Sequence, residues 1–478
     1  MKIIFNSKNN FSFLFSVLMI LSITSGCNSK NKNKNLISAD IIIEHAKILT
    51  MDSSHSLFDN AAIVIKQGRI LEIGPSDSIA LKYTALRTID ATNKLVMPGL
   101  VNTHTHVPMN LFRGYSDDKP LHEWLYKYMF PLEAKYVNAR NVKLGAQLAI
   151  IEMLKSGTTI FNDSYYYEDE VALAAKEIGM RAIVNEGLIS FPVPNAKNYK
   201  EGLAYTEKLI KKWKGDSIIM VGVSVHSPYT CSSELIKEAW ALADKYKVPF
   251  NIHLAETKWE FDSIKKTFKC TPVQYLNQLG VLSSNVIAAH CVYLTNEDVS
   301  IMFEKKAGVA HNPECNMKIC SGVAPVPEML KQGVKVGLGT DGAASNNNLD
   351  MFQAMYTAAL LHKLSTNEPT VMNARQVVDM ATISGAKVLG MDKLIGSLEK
   401  GKSADLIIID LKRPEIYPVY NIYSSIVYSM NSSAVNTVII NGKIVLDNRK
   451  VLNIDENEVL EKVQLLADSI AKDKSLNK

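Results

Sequence analysis

Between residues 99 and 390 the chain alternates two textures. Short apolar runs recur: LVNTH (100–104), TTIFND (158–163), RAIVNEG (181–187), IIMVGVSVH (218–226), PFNIHLAET (249–257), NVIAAHC (285–291), GVAHNP (308–313) and VKVGLGTDG (334–342). Runs of this length and character fit buried strands. Between them lie stretches of helical period, such as VKLGAQLAIIEMLKSG, EVALAAKEIGM, SELIKEAWALADKYK and VPEMLKQG. Several end in glycine, which tolerates the left-handed conformation that closes a helix. Eight strand–helix units over this span predict a closed (β/α)8 barrel of the TIM type, residues 99–395.

The flanks read differently. ADIIIEHAKILTM, NAAIVIKQGRILEIG and RTIDATNKLVMP before the barrel alternate around turn residues, and so do GSLEKGKSADLIIIDL and NTVIINGKIVLDNRKV after it. Period-two patterning predicts half-buried strands. Residues 38–98 and 396–452 are therefore expected to form one discontinuous domain, a small β-sandwich built from both chain ends. Residues 453–478, with ENEVLEKVQLLADSIAK, predict a C-terminal amphipathic helix.

Composition adds little to this α/β reading until charge is located. The 478 residues are 47% hydrophobic and 21% charged, enough for a large core. The net charge of +5 comes from five lysines within residues 1–37, a stretch without acidic residues; the rest of the chain is neutral. No basic face is visible, so nucleic acid is excluded as a partner. MKIIFNSKNN, FSFLFSVLMIL and SITSGC form a basic start, an apolar stretch and a small-residue end. Residues 1–26 thus resemble a bacterial lipoprotein signal peptide. Cys27 would be lipidated, and residues 27–37 would be a flexible tether. The protein is then expected to be exported and anchored to a membrane by its N-terminal lipid, in the periplasm or at the cell surface. Of the other cysteines, Cys315 and Cys320 are near enough in sequence to pair; free buried thiols fit equally well.

The histidines carry the chemistry. His104, His106, His226, His253, His290 and His311, six of the ten, fall at or just past the end of an expected strand. Barrel enzymes keep their reacting groups at those ends. His104 and His106, two residues apart, project to one side of their strand. With His253 on the fifth strand and Asp341 on the eighth they converge on one mouth. Three imidazoles and a carboxylate suit zinc or ferrous iron.

PGLVNTHTH, HLAET, AHC, HNPECNMKICSGVAPV and VGLGTDGAASNNNLDMF, in that order, resemble the metal-dependent amidohydrolase superfamily. The likeness is closest to its 5-methylthioadenosine/S-adenosylhomocysteine deaminase family. The resemblance implies one divalent metal, zinc before iron, held by His104, His106, His253 and Asp341. His226 stands where two-metal members keep a bridging lysine, so one ion is expected. The implied reaction is hydrolytic deamination of an adenine nucleoside (adenosine, 5-methylthioadenosine or S-adenosylhomocysteine) to its inosine analogue and ammonia, using a metal-activated water. Glu256 would donate to the ring nitrogen beside the attacked carbon, while His290 and Asp341 orient the water and carry its proton. Glu133, in FPLEAKYV, matches the acid that holds the ribose hydroxyls, and His226 a residue beside the nucleoside.

Trp124 is a candidate cover, His311 reads as structural support, and Gly339 and Gly342 are expected to permit the turn around Asp341. Cys315 and Cys320 occupy the loop after the seventh strand, where relatives carry serine and a small residue. Another aminated or chlorinated heterocycle, of the guanine or s-triazine type, is the alternative substrate. A surface lipoprotein that only binds nucleosides is the alternative of another class, although a binder has no use for Glu256 and His290. A homo-oligomer is an open expectation.

Overall fold

The computed structural model describes residues 36–476. Residues 1–35, and with them the signal peptide and Cys27, lie outside the described residues. Eight parallel strands form the barrel: β1 (Leu100–Thr105), β2 (Thr158–Asp163), β3 (Arg181–Val184, resumed at Gly187–Leu188), β4 (Ile219–Val221, resumed at Val223–Val225), β5 (Phe250–Leu254), β6 (Val286–His290), β7 (Gly308–His311) and β8 (Lys335–Leu338). Each pairs with the next. The ring closes where the Thr103 hydroxyl donates to the Leu338 carbonyl at 2.8 Å and the Asp341 N–H to the His104 carbonyl at 3.0 Å.

β3 and β4 are each interrupted once, and the cause is polar. Asn162, Asn185 and Asn251, on β2, just after β3 and on β5, close a ring of amide hydrogen bonds of 2.7, 2.8 and 2.9 Å inside the barrel. A Cβ on Gly222 would lie 2.0 Å from the Asn185 Oδ1, so only glycine passes this point of β4. Below the amide ring, Val101, Ile160, Ile183 and Ile287 pack against Ala386, Val388 and Leu389, which plug the N-terminal end.

The helices begin where the sequence offers an oxygen to free N–H groups. Asn138 caps Ala139–Lys155, Ser232 caps Ser233–Tyr246 and Thr257 caps Lys258–Phe268. Gly179 and Gly333 close the EVALAAKEIGM and VPEMLKQG helices with φ of 95° and 87°. After β1 the chain makes an excursion over the mouth, ending in Trp124–Met129 and Phe130–Tyr136. The first of these winds as a π-helix directly before Pro131, which has no N–H to continue α-helical bonding.

The two flanks meet in one nine-stranded sheet. Its seam is the antiparallel pairing of Lys94–Pro98 with Leu406–Asp410, Val96 opposite Ile408. Ile43, Ile48, Ile63, Ile65, Leu406 and Ile408 fill the core of this domain. The Arg181 guanidinium, at the start of β3, is buried against the Asp405 carboxylate with bonds of 2.6 and 3.0 Å, tying sheet to barrel. The closing helix is Glu456–Ala471, with Asp455 as its cap.

Candidate metal centre and catalytic cavity

His104, His106, His253 and Asp341 meet above the amide ring. One ligand-capable atom from each lies within 4.8 Å of the other three. His104 Nε2 is 3.3 Å and His106 Nε2 3.2 Å from Asp341 Oδ1, and the His106 and His253 Nε2 atoms are 3.2 Å apart. A tetrahedral ion with bonds near 2 Å asks for donor separations of ~3.3 Å. The tautomers suit such an ion. His106 Nδ1–H donates to the Ser164 carbonyl at 2.6 Å and His253 Nδ1–H to the His226 carbonyl at 2.7 Å, which turns both Nε2 lone pairs inward. His104 Nε2 and Asp341 Oδ1 are buried without a properly aligned hydrogen bond. Buried atoms of this kind normally have partners; a cation would satisfy all four donors, so the residues fit a metal.

The protonation states of three of the four suit a cation. At His106 burial disfavours charge, but the hydrogen bond to Asp341 outweighs it and raises the ring to about 9; a bound ion would displace that proton. Burial holds His104 down at about 4 and His253 well below the usual imidazole range, so both are neutral near pH 7. Burial also disfavours charge on Asp341, but the imidazoles of His104 and His106 outweigh it and hold the carboxyl well below the ordinary aspartate range. Asp341 Oδ2 accepts from the Ser345 hydroxyl at 3.1 Å, leaving Oδ1 to the cluster.

Backbone strain concentrates here. Ala255, His290, Cys291 and Asp341 have φ of 51°, 72°, 48° and 62°, the left-handed region that non-glycine residues avoid. The expectation that Gly339 and Gly342 supply the turn at Asp341 therefore needs revising. Asp341 itself takes the strained conformation, and Gly339 makes room, since a Cβ there would lie 2.3 Å from Asn312 Oδ1.

Glu256 follows β5, with His290 facing it from β6; Glu256 Oε1 and His290 Nε2 are 3.9 Å apart. Burial raises the Glu256 carboxyl above its ordinary range. His290 Nδ1–H donates to Asn316 Oδ1 at 2.8 Å, which leaves Nε2 as an acceptor. Glu260 is a participant the sequence reading missed. Its buried carboxylate accepts the N–H groups of Ala255 and Glu256, both at 2.9 Å, and so sets the strained turn that carries Glu256. The signal was present in HLAETKWEF as a second glutamate four residues on. Asn316, in HNPECN, was missed likewise.

His106, His253, Glu256, His290 and Asp341 line a cavity that opens to solvent and, its open mouth included, holds about 750 Å³ of empty space. Glu133, on Phe130–Tyr136, sits in its wall. The Tyr165 hydroxyl donates to Glu133 Oε1 at 2.6 Å, and burial pushes the carboxyl up to about 7 against that bond. His226 also lines the cavity; its Nδ1 meets the Thr230 hydroxyl at 2.8 Å, and burial lowers it to about 3. Trp124 is buried against the same space. His311 lies outside it, fully buried, with its Nε2 3.0 Å from that of His362. Cys315 and Cys320 are free thiols; Cys315 is a buried cavity residue whose Sγ donates to Ser345 Oγ at 3.4 Å, and Cys320 is exposed.

Residues 95–445 match the amidohydrolase family. The chain is 44% identical over 432 residues to a 5-methylthioadenosine/S-adenosylhomocysteine deaminase of Syntrophobacter fumaroxidans, covering 90% of this chain and 98% of that protein. It is 43% identical over 434 residues to a 5'-deoxyadenosine deaminase of Methanosarcina acetivorans, with the same coverage of 90% and 98%. An adenosine deaminase from Xanthomonas campestris, solved with bound zinc, superposes with a TM-score of 0.90 at 33% identity, over 92% of this chain and all of that one.

One expectation is corrected by these relatives. They are deaminases matched over 98% of their own length, which leaves no unmatched stretch long enough for the leader and tether read from residues 1–37. The apolar run at 11–21 is short of the ~20 residues a bilayer span requires. Among the described residues, no helix is long and apolar enough to cross a membrane. The location as an exported, membrane-anchored lipoprotein is withdrawn.

Proposed function

Because the chain belongs to the amidohydrolase family, we propose that it hydrolyses the exocyclic amine from the adenine ring of a nucleoside, adenosine, 5-methylthioadenosine and S-adenosylhomocysteine being candidates. The products are the inosine analogue and ammonia. One observation carries the reading: a four-donor cluster, a buried acid and an imidazole acceptor face one cavity, with a further carboxylate in its wall. His104, His106, His253 and Asp341 would hold one divalent ion. The donor set, its spacing and the zinc-bound neighbour favour zinc over iron.

When bound, such an ion lowers the pKa of a water to roughly 7, making a nucleophile available at neutral pH. The protein's own groups do the rest. Glu256, whose carboxyl burial raises above its ordinary range, donates to the ring nitrogen beside C6 and makes that carbon electrophilic. His290 Nε2 and Asp341 take the water's proton and return it to the departing amine, which leaves as ammonia once the C6–N bond breaks. Glu133 accepts the two ribose hydroxyls, a pairing suited to a carboxylate. His226 presents a neutral ring edge to the nucleoside.

The test is ammonia release by the metal-loaded full chain from adenosine, 5-methylthioadenosine, 5'-deoxyadenosine and S-adenosylhomocysteine, with guanine and an s-triazine as comparators. The adenine nucleosides are expected to turn over; silence with all four rejects the reading.

A further inference from the structure

The cavity's charge pattern bears on which adenine nucleoside it takes. Its lining includes the carboxyl groups of Glu133, Glu256 and Asp341 and, among the described residues, no lysine or arginine. It also includes the apolar side chains of Leu121, Leu125, Phe130, Ile189, Tyr229 and Ile319. A second recess shares Leu121, Leu125, Tyr229 and Ile319 with it and adds Tyr126 and Trp259. Among the described residues its one lysine or arginine is Lys258, whose ammonium donates to both oxygens of Asp262 at 2.6 Å.

A nucleoside with its adenine at the metal cluster and its ribose on Glu133 has to place the 5' substituent among these remaining walls. An alkyl or alkylthio group loses water against apolar side chains, which is favourable. An amino-acid substituent is a zwitterion. Its carboxylate would be stripped of water where the one ammonium, that of Lys258, is already paired with Asp262, and its own ammonium would face apolar walls.

We infer that this cavity selects adenine nucleosides whose 5' substituent is uncharged and apolar, and discriminates against those ending in a free amino acid. The inference rests on the deaminase reading above and deepens it. It assigns specificity to the wall formed by Leu121, Leu125 and Ile319.

The experiment compares kcat/KM of the metal-loaded full chain for 5'-deoxyadenosine, 5-methylthioadenosine, 5'-propylthioadenosine and S-adenosylhomocysteine. The propylthio compound extends the chain without charge, so it separates bulk from charge. The three uncharged nucleosides are expected to exceed S-adenosylhomocysteine by ~10- to 100-fold, the cost of one unpaired desolvated polar or charged group. Ile319→Arg, which supplies a cation, should narrow that ratio. Equal efficiency for S-adenosylhomocysteine and 5-methylthioadenosine would overturn the inference while leaving deamination standing. A propylthio compound as poor as S-adenosylhomocysteine would overturn it too, by assigning the discrimination to length. No ammonia from any of the four would overturn deamination and this inference together.

Discussion

Replacing Glu256 with glutamine isolates a single proton. The side chain keeps its size and its place, because the backbone N–H groups of Ala255 and Glu256 remain bound to Glu260. Glu256 is not among the four clustered donors, so metal binding should be untouched. What disappears is an acid whose carboxyl burial raises above its ordinary range, 3.9 Å from His290 Nε2. Positioned general acids contribute ~100- to 10,000-fold, equivalent to ~2.7–5.5 kcal/mol of barrier. The expected result is a fall of that size in kcat, with metal content equal to wild type by elemental analysis and an unchanged circular dichroism spectrum. Ammonia release under saturating nucleoside gives the rate. If the glutamine variant kept a rate within about tenfold of wild type, less than the smallest contribution expected of such an acid, Glu256 would not be the donor and the assignment would fail.

Three further perturbations address separate parts of the argument. Asp341→Asn removes a charged ligand and a proton carrier at once; bound metal should fall well below that of wild type on dialysis against a weak chelator, and turnover should vanish with it. Glu133 must be ionised to accept both ribose hydroxyls, and its carboxyl lies at about 7, so kcat/KM for a nucleoside should rise as pH increases through that value; Glu133→Gln should raise KM and abolish that limb of the profile. Arg181→Ala leaves the buried Asp405 carboxylate without its cation, bonded only to the Ser403 hydroxyl and the Asn441 N–H, so urea denaturation should register a loss of ~3–5 kcal/mol, the range for breaking a buried ion pair, while the metal centre stays intact in the folded fraction.

The barrel was legible because strands buried on both faces must be apolar throughout, and helices that cover them must be apolar on one side. LVNTH and NVIAAH therefore announce their strands wherever else the chain goes, and the observed β1 and β6 overlap those runs almost residue for residue. The return of period-two patterning after residue 395 was equally readable. The interruption of β3 and β4 was not, because it depends on Asn162, Asn185 and Asn251 meeting across the barrel from positions up to 89 residues apart. The π-helical turn at Trp124–Met129 was missed for another reason: a short apolar loop with a proline has no periodicity to detect.

The candidate site divides along the same line. Residue types and strand-end positions were enough to nominate His104, His106, His253, Glu256, His290 and Asp341, since a metal and a proton transfer each demand particular side chains. Local order could not say that Asp341 would carry the strained φ that Gly339 and Gly342 were expected to absorb. Nor could it identify Glu260 as the anchor beneath Glu256, or Asn316 as the group that orients His290. It also suggested a leader and tether for which relatives matched over 98% of their own length leave no room. Patterning reports what each residue wants from its surroundings, burial or water, period two or 3.6. Which distant partner meets that demand, and how far burial moves a carboxyl such as Glu133, is decided only when the closed barrel sets the distances and removes the solvent.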